Sequence, residues 1–321
     1  MRRLCQIVAA SFALAVAPLY AQDYPTKPII LVVPFAPGGS SDFLSRLIGS
    51  KLTEAWKQQV VVESRPGAAG NIAMDAVQRA KPDGYTLILG HIGTLAVNPA
   101  MFEKLPYDPV NGFIPVSLIA TVPTLLVVNP SLPVKNLKEF VELAKAKPGT
   151  INYGSAGNGS SGHLAMEYLK QAAGIDLVHV PYKGTGPMLS DLLGGSTQAT
   201  FTGATPLIPH IKSGKLRPIA VGGAKRIDAL PDLPTVSESG LKGFETSQWY
   251  GIMAPAGTPN AIVQKLSLEI NRILKQPDVI ERLSADGSVA HGTTPDEFAA
   301  FIKAERERWG KVVKSANIKA E

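Results

Sequence analysis

Glycine and small hydroxyl residues cluster at three places in this chain. Residues 34–42 read PFAPGGSSD, residues 154–163 read GSAGNGSSGH, and residues 181–187 read PYKGTGP. Each cluster follows an apolar run and opens a helical pattern. The first four N–H groups of a helix lack intrahelical partners, and that end carries about half a positive charge. Glycine lets the backbone approach closely, and Ser or Thr adds hydroxyl donors. The chemistry on offer is anion capture that needs no Arg. Ser, Thr, Asp and Gly are also the residues that simply cap helices. For one loop the two readings stand level; three loops of one composition favour a shared anion site.

Other chemistries find less support. Gly157 to Gly162 fits G-x-G-x-x-G, but the following acid, Asp176, precedes the next strand instead of ending it, so a dinucleotide site is a poor fit. No G-x-S-x-G elbow and no phosphate-loop signature occur. The five histidines, at 91, 163, 179, 210 and 291, form no metal-binding pair. No cofactor or metal is expected. His179, within an apolar run, reads as a hydrogen-bonded structural residue. His91 and His163, each just after a strand, are better ligand candidates. Lys183 reads first as solvated. Trp249 and Tyr250 fall on a segment that either lines a cleft or joins the core.

The elements that must position these loops alternate. Ile29–Val33, Val60–Val62 and Thr86–Leu89 read as strands, with helices over Ser41–Trp56 and Ile72–Ala80 between them. Near-continuous apolar strands in a βαβαβ rhythm predict a parallel sheet covered on both faces. Phe113–Val128 breaks the rhythm. Its Pro115 and Pro123 argue against a central strand and suit a crossing between domains. The rhythm then restarts through Ile151–Tyr153, Leu177–Val180, Ala199–Thr202 and Ile219–Val221. Residues 246–255, TSQWYGIMAP, are a second crossing segment, and a helical tail follows. The fold class is α/β: two lobes, two crossing segments and C-terminal helices returning to the first lobe. The expected boundaries are 22–123 plus 246–321 for lobe 1 and 124–245 for lobe 2, with the cleft between them a favoured ligand site.

Residues 1–21 have the layout of a secretory signal peptide: Arg2-Arg3, an apolar run, then Ala21 before polar residues. Its loss would remove the single cysteine, Cys5, and with it any disulfide or thiolate chemistry. The net charge of +6 would fall by two. No basic stripe with interleaved aromatics appears, so nucleic acid is not an expected partner.

Taken together, these motifs resemble the periplasmic solute receptors of tripartite tricarboxylate transporters, the Bug or TctC family. The resemblance runs over nearly the whole chain. It includes YPTKPIILVVPFAPGGSSD, VVVESRPGAAGNIA, INYGSAGNGSSGHL, VPYKGTGPMLSDLLGG and WYGIMAPAGTP. It implies a clam-like, two-lobed binding protein without catalytic activity, expected as a monomer in the periplasm with membrane transporter subunits as partners. Its ligand would be a small carboxylate held by amides and hydroxyls of both lobes. Carried over, lobe 1 supplies Phe35, Ala36, Pro37, Gly38, Gly39, Ser40 and Asp42, with His91 and Thr94 beside them. Lobe 2 supplies Gly154, Ser155, Asn158, Ser160, Ser161 and His163, then Tyr182 and Lys183, and Tyr250 comes from the second crossing. Thr202 and Gly203, followed by Ala204, stand where many family members carry an acid. That departure favours a dicarboxylate or aromatic acid over an amino acid. The rivals are a secreted Ser-dependent hydrolase and a receptor for a phosphate-like anion, porphyrin or metal-type solute.

Overall fold

In the computed structural model, which describes residues 24–315, β1 (Ile29–Val33) enters the first glycine loop and α1 (Ser40–Trp56) leaves it. Four of the five β1 residues are buried, as a strand covered on both faces requires. Next come β2 (Val60–Ser64), α2 (Asn71–Gln78), β3 (Thr86–His91) and a short α3 (Asn98–Met101). β4 (Phe113–Val128) then carries the chain into lobe 2, which holds α4 (Leu137–Ala146), β5 (Asn152–Ser155), α5 (Ser161–Ala173), β6 (Val178–Pro181), α6 (Thr185–Gly194), β7 (Ala199–Gly203), α7 (Ile208–Lys212) and β8 (Arg217–Val221). The chain returns through β9 (Ser247–Pro255). It ends in α8 (Asn260–Ile273), α9 (Pro277–Ala285), β10 (Val289–Ala290) and α10 (Pro295–Ser315). The signal peptide expected over residues 1–21 lies outside the described residues.

β2, β1 and β3 pair in parallel, and β9 and β4 continue that sheet antiparallel. β4 is the exception to the sequence expectation. It is one unbroken 16-residue strand at the centre of the molecule, in spite of its prolines. Its register shifts beside Pro115, and Pro123 lies at the seam where its partners change. Irregular positions of this kind spare the ladder the N–H that Pro lacks. Up to Pro123 the neighbours of β4 are β9 and β10; from Thr124 they are β7 and β8. β5 and β6 extend the second half in parallel. The strands β4 and β9 therefore run side by side from one half to the other. A buried 2.7 Å hydrogen bond between the Thr124 and Thr246 hydroxyls ties them together.

One apolar cluster runs through both halves along β4, joining Leu44 and Leu52 to Met188 and Leu192, and each half adds a cluster of its own. Phe140, Tyr153, Leu169 and Phe201 belong to the lobe 2 cluster, and α10 packs Phe298 and Trp309 against Trp249 and Val32 in lobe 1. Burying large apolar side chains stabilises by about 1.5–3 kcal/mol each. Both sheets are thus firm platforms for the loops at their strand ends.

Candidate ligand-binding site

In lobe 1 the β1–α1 loop is shaped from within. Gly38 is left-handed at φ +94°, and its N–H donates to Asp42 Oδ2 at 3.2 Å. Asp42 Oδ1 pairs with Arg46 at 2.8 Å. The carboxylate thus faces its own turn and helix, so its charge is already balanced. Ser40 and Ser41 open α1 and are buried. Gly39 precedes them with no side-chain cap, leaving that role to the backbone.

Phe35 stacks on His91, with ring centroids 4.6 Å apart. His91 ends β3, and its Nδ1 accepts the Thr94 N–H at 3.1 Å. That bond places the ring proton on Nε2 of the neutral imidazole. Burial pushes the pKa of His91 down to about 4, so the ring is neutral at ordinary pH. The Thr94 hydroxyl folds back on the His91 backbone, while its carbonyl accepts the Tyr107 hydroxyl at 2.6 Å. Thr94 and His91 therefore brace one another.

In lobe 2, Ser155 ends β5 and is fully buried. Its hydroxyl lies 2.7 Å from His179 Nε2 and accepts the Gly157 N–H at 3.1 Å. Ser160 caps α5 by accepting the His163 N–H. His163 Nδ1 in turn accepts the Gly159 N–H at 3.2 Å. His163 stacks on His179 at 4.2 Å, and His179 stacks on Tyr153 at 4.9 Å. Burial lowers the His179 pKa to about 3, with the neighbouring His163 and Lys170 adding to it. This stacked ladder holds the loop Ala156–Ser161 in shape. Gly154 is small because Met188 and Tyr182 press on it. The Tyr182 hydroxyl donates to Asp191 at 2.6 Å, and Lys183 is exposed.

The loops of the two halves meet. Ala36 N–H reaches the Lys183 carbonyl at 3.4 Å. A Cβ at Gly39 would lie 2.8 Å from Thr185 Oγ1, and one at Gly38 would lie 3.4 Å from Gly186. Gly159 leans on the segment after His91: a Cβ there would lie 2.5 Å from Met101 and 3.1 Å from Asn98 Oδ1. A Cβ at Gly203 would lie 2.8 Å from Ser40 Oγ and 3.0 Å from Gln248 Oε1. Thr202, Gln248, Tyr250 and Ser40 thus form one buried cluster across the seam.

The structure gathers Phe35 to Ser40, His91, Thr202, Gly203 and Tyr250 with the start of α5, which includes Ser160, Ser161 and His163. Asn158 lies half-buried in the same α5 loop. Asp42, Thr94, Ser155 and Tyr182 instead direct their polar atoms into their own lobe. Ala204 packs toward Gly287, away from the loops. Three contributors escaped the sequence reading: Thr185, Asn98 and above all Gln248. The available signal for Gln248 was a lone polar amide two residues before Tyr250 in an otherwise apolar crossing strand.

Two sheets of this kind, joined by crossing strands with glycine-rich loops meeting between them, define a two-lobed solute-binding protein. A sequence profile of the Tripartite tricarboxylate transporter family receptor matches residues 44–318. The chain belongs to this family of periplasmic receptors, whose members bind solutes and are not enzymes. Protein BugT of Bordetella pertussis is 37% identical over 322 residues, covering 99% of both chains. A solved R. palustris protein with adipate is 39% identical at a TM-score of 0.91, covering 92% of this chain and 99% of its own. MatC from Rhodopseudomonas palustris, solved with bound malate, is 35% identical at a TM-score of 0.86, covering 90% and 100%.

Proposed function

We propose that this protein captures an organic carboxylate, a dicarboxylate or aromatic acid, between its lobes in the periplasm. It then hands the ligand to the membrane subunits of a tripartite tricarboxylate-type transporter. The observation that carries the reading is the placing of the α1 and α5 N-termini, from different lobes, on either side of the β7 end at Thr202 and Gly203, each opened by glycine and buried serines, without a free cationic side chain among the described residues of either loop. Such a pair of helix ends favours negative charge and supplies N–H donors at once. The adipate and malate in the two solved relatives support a diacid. The lobes of this reading are 22–123 with 246–321, and 124–245, and the partner change of β4 supports that division. Export would use the segment 1–21.

A thermal-shift screen against di- and tricarboxylic and aromatic acids tests the proposal, with phosphate and sulfate as controls. A ligand that binds only the native state stabilises it by about 2.7 kcal/mol at a hundred times Kd. Stabilisation by one class of organic acid, with none from phosphate or sulfate, is expected. Stabilisation by phosphate alone would contradict it.

A further inference from the structure

Gln248 and Tyr250 occupy the crossing strand β9, two residues apart and so on one face. Their neighbours lie in different lobes. The Ser40 hydroxyl, at the start of α1, lies beside this pair: Ser40 Oγ and Gln248 Oε1 would be 2.8 and 3.0 Å from a Cβ at Gly203. The Tyr250 hydroxyl donates to Gln248 Oε1. Gln248 Nε2 donates to Thr202 Oγ1 at the end of β7, at 3.4 Å. All four residues are buried and uncharged. An amide oxygen only accepts, so the tyrosine bond fixes which way the Gln248 amide points. Its NH2 must then face lobe 2.

The direction of this string has a chemical consequence. Gln248 Nε2 carries a second hydrogen, and the Thr202 hydroxyl, already an acceptor, still has its own proton. Neither finds an acceptor in the hydrogen bonds of the described residues. The string therefore ends in donors. Thr202 Oγ1 would lie 3.4 Å from a Cβ at Gly162, in the first turn of α5, and Gln248 Oε1 and Ser40 Oγ crowd one point beside Gly203. The donor end thus sits between the two helix N-termini.

We propose that Gln248 is a specificity-determining residue: its oriented amide reads a hydrogen-bond acceptor, the second carboxylate of a diacid, and rejects an ammonium group at that place. The inference rests on the carboxylate reading above. It assigns the choice between a diacid and an amino acid to one neutral side chain on the hinge strand.

The test uses matched pairs in which one carboxylate is replaced by an amine: succinate with 4-aminobutanoate, glutarate with 5-aminopentanoate, adipate with 6-aminohexanoate. Calorimetric affinities are measured on the full chain and on Gln248→Glu. The wild type should favour the diacid of its best pair. In Gln248→Glu one oxygen still accepts from Tyr250, while the other turns the donor end into an anionic acceptor. The diacid-to-amino-acid affinity ratio should fall by roughly a hundredfold, the order set by one hydrogen bond to a charged group. A merely structural residue would weaken both members of the pair alike. An unmoved ratio in a variant that melts cooperatively would overturn the assignment. If Gln248→Glu does not fold, Gln248→Met, of similar length and without donors, decides. A compressed ratio with at least a tenfold loss of diacid affinity supports the assignment, and an unchanged ratio rejects it. Should the wild type bind no diacid, this assignment fails; should it bind no organic acid at all, the carboxylate reading fails as well. Diacid binding with an unmoved ratio removes only the role of Gln248.

Discussion

Single side chains here divide into those that shape the loops and those that face the seam, and the division has measurable consequences. Ser155 bonds His179 and its own turn. Ser155→Ala should therefore cost about 1–3 kcal/mol of stability by leaving buried partners unsatisfied. Urea melts would register that loss, while affinity should fall less than in Ser161→Ala. A full-strength melt with lost binding would instead make Ser155 a ligand contact. The buried histidines give a pH dependence. The folded pKa of His91 is lowered to about 4 and that of His179 to about 3, both below the unfolded value near 6.5. Between these values the unfolded chain binds more protons than the native one, so stability is full above pH 6.5 and declines as pH falls toward 4. The slope from a fully buried group approaches about 1.4 kcal/mol per pH unit. Denaturation midpoints at pH 7.5, 6 and 5 should fall in that order, and His91→Gln should flatten the fall.

At the scale of elements, the loops act through backbone geometry more than through charge. Gly39→Val would drive a side chain against Thr185 across the seam, whereas Lys183 is exposed and lends only its carbonyl to Ala36. Gly39→Val should reduce affinity at least tenfold and Lys183→Met less than threefold, since an exposed charge carries about 0–1 kcal/mol. Titrations of the two variants check the order, and the reverse order would mean an anion held by a salt bridge. The helices and parallel strands were legible because their periods are local: α1 begins one residue from its expected start, and the C-terminal helices follow their apolar stripes. β4 was harder. Pro115 and Pro123 argue against a central strand until one sees where partners change, which depends on β7, β9 and β10 far away in sequence. The site was half legible for the same reason. Glycine-rich turns announce themselves, and the pairing of Asp42 with Gly38 and Arg46 is local, but the bridge through Gln248 exists only once distant elements are packed.

For the whole molecule, two lobes joined by the crossing strands β4 and β9 describe a hinge, and the contacts of Ala36, Gly39 and Gly159 describe its closed arrangement. Ligand shared between the loops should draw an open population toward this arrangement, because it gains contacts only when the lobes meet. Small-angle scattering should show a smaller radius of gyration at saturating ligand, and an unchanged radius would argue against hinge closure. The central claim, a receptor that holds a carboxylate without transforming it, is tested most directly by titration calorimetry with the best diacid of the screen, followed by recovery of that diacid. One molecule bound per chain and returned chemically unchanged is the predicted result. No binding by any organic acid, or recovery of a converted product, would contradict it.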